Sequence, residues 1–159
     1  MEENRRQALD RVDRRILDLL QREGALSVAE VASRTGLSTT TCWRRIQHME
    51  QSGVIRGRVA LLDRSALGLD VTIFAHVKLS TQGRDAIAAF AEAIRERPEV
   101  LDCYTTMGEW DFMLRIVTKD IKAYEAFYLD HLSKLPYVQS INSSVTVTVI
   151  KETTVLPIE

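Results

Sequence analysis

The sequence predicts an α+β chain in two parts, an N-terminal unit of three short helices and a C-terminal unit built in the order β-α-β-β-α-β. Three observations carry that prediction. Apolar residues recur at helical spacing from Leu9 to Met49 and switch to strict alternation from Val71. Thr35-Gly36 separates two helical-period segments, each preceded by a serine placed to cap it. Beyond residue 71, segments of period two and period 3.6 follow one another in an order that one sheet with two covering helices satisfies.

The first helix places Leu9, Val12, Ile16, Leu19 and Leu20 on one stripe, with Arg11, Asp13, Arg14, Arg15 and Asp18 on the other face. The second starts at Ser27, whose hydroxyl caps free N–H groups while Glu30 completes a capping box; Val28, Val31 and Ala32 face inward. Gly36 supplies the positive φ that ends it, and Ser38 caps the third helix two residues later. So short a connection forces a sharp crossing, which makes the pair a helix-turn-helix. In the third helix Cys42, Ile46 and Met49 form the inner stripe, and Gly53 closes it.

The outer faces of that third helix carry Ser38, Thr39, Thr40, Thr41, Trp43, Arg44, Arg45, Gln47 and His48. Hydroxyls, guanidinium groups, an amide and an imidazole bond phosphates and base edges, so this surface is expected to meet double-stranded DNA, with Arg44 and Arg45 foremost. Trp43 suits either packing on the first helix or contact with a sugar or thymine methyl. Charge follows the same division. Residues 1–60 hold 11 Arg and no Lys against 8 acidic residues, a net of +3; residues 61–159 hold 10 basic and 14 acidic residues, a net of −4. An arginine-only basic set suits bidentate phosphate binding, and the acidic remainder needs another role.

Val54 to Leu62 reads as a short hairpin or extended arm, in which Gly57 between Arg56 and Arg58 makes a wing whose arginines reach phosphate, or else a plain linker. The expected division is a DNA-binding domain at 1–60, a linker at 61–70 and a second domain at 71–159. In that domain Val71 to Leu79 alternates as a strand. Asp85 to Arg97 is a helix with Ile87, Phe90, Ala91 and Ile94 inward, ended by Pro98. Val100 to Met107 and Trp110 to Thr118 are strands joined by a tight hairpin at Gly108-Glu109. Tyr124, Phe127, Tyr128 and Leu132 stripe a second helix, and Val138 to Ile150 forms the last long strand, with Val145, Val147 and Val149 alternating against Thr146 and Thr148. The sum is a ferredoxin-like sandwich. Its helix-free face, expected to carry Phe74, His76, Thr146 and Thr148, is suited to dimerisation, which supplies the two-fold symmetry of a palindromic operator.

Length and composition bound the alternatives. With 159 residues, 45% hydrophobic and 27% charged, the chain has room for one domain or two small ones. No apolar run reaches the roughly 20 residues of a membrane span, and MEENRRQALD lacks a signal core, so a cytoplasmic location is expected. Cys42 and Cys103 lack metal-ligand spacing and read as reduced thiols. His48, His76 and His131 are far apart, and no nucleophile elbow or phosphate loop occurs, so no enzyme, metal or cofactor is expected. The competing class is an amino-acid-sensing oligomeric module that does not bind DNA.

Both halves resemble the leucine-responsive regulator family, Lrp/AsnC, over essentially the full length. The resemblance rests on LDRVDRRILDLLQREG, GLSTTTCWRRIQHMEQSGVI, the following VALLD, and Gly108-Glu109-Trp110-Asp111. One departure stands out: where the family often begins its recognition helix Ser-Pro-Thr-Pro-Cys, this chain has Ser38-Thr39-Thr40-Thr41-Cys42. Proline there preorganises the first turn without being essential, so the departure bears on operator identity. The resemblance implies an N-terminal winged helix-turn-helix that binds operators, and a ferredoxin-like (RAM) domain that dimerises, assembles to tetramers or octamers, and binds a free amino acid. It also implies the effector site. Gly108 lets a backbone amide approach the ligand carboxylate, Asp111 holds its ammonium, and Met107, Glu109, Trp110, Ser143 and Ser144 line it. The plainer alternative is that Gly108 only makes the turn and Asp111 only caps it. Thr153 to Ile158 and RPEVLDCY are similar to members that control branched-chain amino-acid catabolism or cysteine detoxification, making a branched-chain amino acid or cysteine the candidate effectors.

Overall fold

The computed structural model describes residues 9–158. These residues divide into two units, one reaching Leu62 and taking in the segment from Lys151, the other Asp63–Ile150.

The first unit opens with helix α1, Arg11–Arg22. Asp10 caps it, accepting from the N–H groups of Val12 and Asp13 at 2.8 Å each, while Asp13 Oδ2 accepts from the Asp10 N–H at 3.2 Å. Helix α2, Val28–Thr35, begins with the expected box: Ser27 Oγ accepts from the Glu30 N–H, and Glu30 accepts from the Ser27 N–H at 2.7 Å. Gly36 ends it at φ 72°, a conformation that costs an L side chain about 1–2 kcal/mol. Helix α3, Thr39–Gln51, follows at once under the Ser38 cap. The three helices bury Ile16, Leu20, Leu26, Val31, Ala32, Cys42, Ile46 and Met49 as one core.

No strand forms between Val54 and Leu62, so that segment is an extended arm with Val59, Leu61 and Leu62 exposed. Residues 151–158 also belong to the first unit, where the Gln21 side chain grips Leu156: Nε2 donates to its carbonyl at 3.0 Å and Oε1 accepts from its N–H at 2.9 Å.

The second unit is one four-stranded antiparallel sheet with two helices. Strand β1, Val71–Leu79, is central; helix α4 is Arg84–Arg95; β2, Val100–Thr105, and β3, Phe112–Thr118, form the hairpin; helix α5 is Ile121–Asp130; β4 is Val138–Val145. The order β2-β3-β1-β4 is that of a ferredoxin-like sandwich. Alternation does what it should: Ile73, Ala75, Val77 and Leu79 of β1 and Phe112, Leu114 and Ile116 of β3 point into a core with Phe90, Ile94, Tyr124, Phe127 and Leu132. The rings of Phe90 and Phe112 stack with centroids 4.3 Å apart.

Four expectations are corrected. Helix α4 ends at Arg95 and turns Ala86 inward, with Ile87 only partly buried. The hairpin is not tight: Thr105 and Phe112 are paired across a six-residue loop, closed by Thr106 N–H to Asp111 carbonyl at 2.9 Å. Strand β4 stops at Val145 and leaves Val147 98% exposed. Thr148 therefore lies beyond the sheet, and the open face carries Phe74, His76, Tyr104, Met113 and Ser144, with Asp102 paired to Arg115. No helix among the described residues is long and apolar enough to cross a membrane.

Candidate functional site

The exposed surface of α3 is sorted by what its side chains already touch. Ser38 and Thr41 bond one another through their hydroxyls at 2.9 Å, and Ser38 also accepts from the Thr41 N–H, so both serve the helix start. Thr39 and Thr40 project from the first turn, exposed, beside the unpaired N–H groups that favour anions. Trp43 is 53% exposed, which settles it on the surface rather than against α1. Arg44 is exposed with no carboxylate partner among the described residues, and His48 is exposed one turn further. Gln47 donates to Glu50 at 2.8 Å, and Glu50 also holds Arg58 at 3.5 Å, tying the arm to the end of α3.

Arg45 differs from its neighbour. Its Nη1 donates to Asp10 Oδ2 and to Asp13 Oδ1, each at 2.7 Å, so this guanidinium is committed to α1. The Asp13 N–H and the Arg45 guanidinium hold the Asp10 carboxyl below the usual carboxylate range despite some desolvation. The carboxylates reciprocally raise Arg45. The capping-box signal, Asp10 and Asp13 three apart, stands in the sequence; the link to a residue 32 positions away does not.

In the second unit the loop between β2 and β3 is a braced structure. Thr106 Oγ1 donates to the Trp110 carbonyl at 2.6 Å, Gly108 takes φ 139°, and Met107 and Glu109 are exposed. A Cβ at Gly108 meets nothing within 4 Å, so its backbone faces open space. Trp110 sits against His76 with ring centroids 6.1 Å apart. Asp111 is engaged on both sides: its N–H donates to the Val77 carbonyl, Oδ2 accepts from the Leu79 N–H at 2.8 Å, and Oδ1 accepts from Gln82 at 2.9 Å and faces Lys78 at 3.5 Å. Burial raises its pKa, but the Leu79 N–H, Lys78 and Gln82 outweigh that and hold it below the ordinary range. Neither Gln82 nor Lys78 carried a sequence signal.

The two serines do not converge. Ser143 pairs opposite Ala75 on the helix-covered face, where its hydroxyl bonds that of Tyr124; Ser144 pairs opposite Phe74 on the open face shared with His76. A cavity of 370 Å³ lies elsewhere, in the first unit, between Leu17, Leu20, Val54, Ile55, Leu156 and Ile158. Among the described residues no group of three or more His, Cys, Asp and Glu is placed to hold a metal, and both cysteines are free, Cys42 buried and Cys103 exposed.

Comparison with known proteins matches residues 9–56 to a winged helix-turn-helix DNA-binding family and residues 72–156 to the Lrp/AsnC ligand binding domain. The chain is 37% identical over 151 residues to the Escherichia coli DNA-binding transcriptional activator DecR, covering 95% of this chain and 99% of that one. Among solved structures, a Neisseria meningitidis transcriptional regulator in complex with L-Met superposes with a TM-score of 0.90 at 37% identity, covering 94% and 96% of the two chains. An AsnC family transcriptional regulator from Agrobacterium tumefaciens does so with a TM-score of 0.89 at 44% identity, covering 93% and 96%.

Proposed function

The chain belongs to the Lrp/AsnC family of DNA-binding transcriptional regulators, and from that membership we propose how its own residues divide the work. It is a regulator of amino-acid metabolism rather than an enzyme, with a helix-turn-helix for DNA and a ligand-binding domain for a free amino acid. The α3 surface enters the major groove. Thr39 and Thr40 at its start meet phosphate or base, Arg44 meets phosphate or a guanine edge, and Trp43, Gln47 and His48 complete the reading face. Arg58 on the arm approaches the flanking backbone.

The observation that carries this reading is the contrast along α3: its inner stripe of Cys42, Ile46 and Met49 is buried, while Trp43 and Arg44 stand in solvent on a helix fixed by its cap. Anisotropy of a labelled duplex, selected by the chain from a random library, tests it. Binding should weaken steeply with salt, and Arg44→Ala should weaken it at every salt concentration; a complex indifferent to salt would overturn the assignment.

The effector is an amino acid bound at the loop Met107 to Asp111, its carboxylate received by the open backbone at Gly108 and its side chain against Trp110. Asp111 meets the ammonium through the same carboxylate that braces β1, and Ser144 lies on the Trp110 side of the sheet. A branched-chain amino acid and cysteine are the first candidates, and the L-Met complex of the Neisseria relative adds methionine. The open face with Phe74, His76, Tyr104 and Met113 pairs with a second copy, and dimers assemble to tetramers or octamers. Sedimentation with and without amino acid tests that step; Phe74→Asp should leave monomers.

A further inference from the structure

We propose that Arg45 is a positioning residue for DNA recognition: it fixes α3 upon α1 and does not itself neutralise a phosphate. The inference rests on α3 being the DNA-binding helix and concerns which of two adjacent arginines does what.

The carboxylate side of the cluster leaves no vacancy. Asp10 Oδ1 accepts from the Val12 and Asp13 N–H groups, and Asp10 Oδ2 accepts from Arg45; Asp13 Oδ2 accepts from the Asp10 N–H, and Asp13 Oδ1 accepts from Arg45. All four carboxylate oxygens are occupied. The capping box that starts α1 is thus also the receptor for the middle of α3, and one guanidinium nitrogen joins both of its members.

Charge argues the same way. One guanidinium among two carboxylates leaves the cluster with a net charge of −1, which repels a phosphate. For Arg45 to swing out to DNA it would have to abandon two charge-assisted bonds and leave Asp13, whose side chain is only 16% exposed, without its cation, and a phosphate that met its remaining Nε and Nη2 donors in place would approach two carboxylates. Arg44 has no such commitment. The apolar core sets the distance between α1 and α3 through Ile16, Leu20, Ile46 and Met49, but apolar packing is non-directional. A directed bond to two acceptors at the start of α1 fixes the rotation and tilt of α3, and hence where Trp43, Arg44 and Gln47 are presented.

The test is the salt dependence of binding to the library-selected duplex, measured for the full chain and for Arg44→Ala, Arg45→Ala and Asp13→Asn, with a thermal melt of each. Each phosphate contact contributes about 0.9 to the slope of log K against log salt. Arg44→Ala should lower the slope by about that amount and leave the melting temperature unchanged. Arg45→Ala should weaken binding tenfold or more with an unchanged slope and a lower melting temperature. Asp13→Asn is decisive, because it removes a negative charge: simple electrostatics makes it bind tighter, whereas loss of positioning makes it bind more weakly, again with the wild-type slope. A slope reduced by about 0.9 in Arg45→Ala, or tighter binding by Asp13→Asn, would overturn the proposal while leaving α3 as the DNA-binding helix. A wild-type chain without any salt-dependent complex would overturn both.

Discussion

Single residues in this chain take their roles from partners far away in sequence. Arg44 and Arg45 are the same letter twice; helical spacing sets Arg45 beside the buried stripe, three residues after Cys42 and four before Met49, and Arg44 away from it, so one faces solvent and the other two aspartates at the start of α1. The candidate DNA surface was legible in the sequence because hydroxyls and cations outside an apolar stripe are a local pattern. The partners that divide the labour within it were not. Asp111 makes the same point, since its bonds run from the residue before β3 to Lys78 and Leu79 at the end of β1 and to Gln82 in the loop beyond it. Removing that carboxylate leaves the Leu79 N–H without its acceptor, so Asp111→Ala should destabilise the second unit by about 1–2 kcal/mol in a urea titration, even without ligand. A substitution with no effect on the free protein would make Asp111 purely a ligand contact. Titration has a direction as well. Asp10, Asp18, Glu30 and Asp111 are all held below their ordinary values by hydrogen bonds and neighbouring cations. Such groups bind protons more readily when unfolded, so their stabilisation is full above the ordinary carboxylate range and is lost as pH falls through the lower folded values. Melting temperature should be flat near neutrality and fall as pH drops below the ordinary carboxylate range.

At the scale of elements, features set by local chemistry are legible in the sequence, and those set by a distant neighbour are not. The caps of α2 and α3 are short-range chemistry, and Ser27, Glu30, Gly36 and Ser38 stand where their spacing places them. Ser27→Ala should cost about 1 kcal/mol, and Gly36→Ala about 1–2 kcal/mol because the left-handed backbone must persist; both are checked by chemical denaturation of the full chain. Strand β4 shows the opposite case. The valine alternation runs on through Val147 and Val149, yet pairing stops earlier: Val145 faces Ile73, Thr146 makes the last bond, to the Thr72 carbonyl, and the chain leaves the sheet although Val71 still lies within β1. A strand exists only as far as its pairing does, and periodicity does not record where pairing ends. The end of helix α4 is hidden from the sequence for a related reason, since Pro98 limits how far the helix can run without fixing where it ends. In the core the stacked pair decides: Phe90→Ala should cost about 3–5 kcal/mol, since no nearby side chain replaces a ring wedged on Phe112.

For the whole molecule, ligand binding and stability are linked. A ligand at 100 times its dissociation constant adds about 2.7 kcal/mol to the unfolding free energy, so a melt against all twenty amino acids should show a selective rise for the effector. Substituting Gly108 with valine should remove that rise, both by strain at φ 139° and by closing the backbone to the ligand. The order of elements and the ferredoxin-like pairing were accessible from sequence, because each strand and helix announces its period. The return of residues 151–158 to the first unit was not, since it turns on one glutamine side chain reading one stretch of backbone. Gln21→Ala should lower the stability of the first unit by about 1 kcal/mol, and a chain ended after Leu62 should melt below the full-length protein. That return also imposes a timetable during synthesis. Chains emerge from the ribosome N-terminal end first, at about 5–20 residues per second, so the helices that meet DNA are made before the segment that completes their unit. The first unit therefore completes its packing only after the whole intervening second unit has been made.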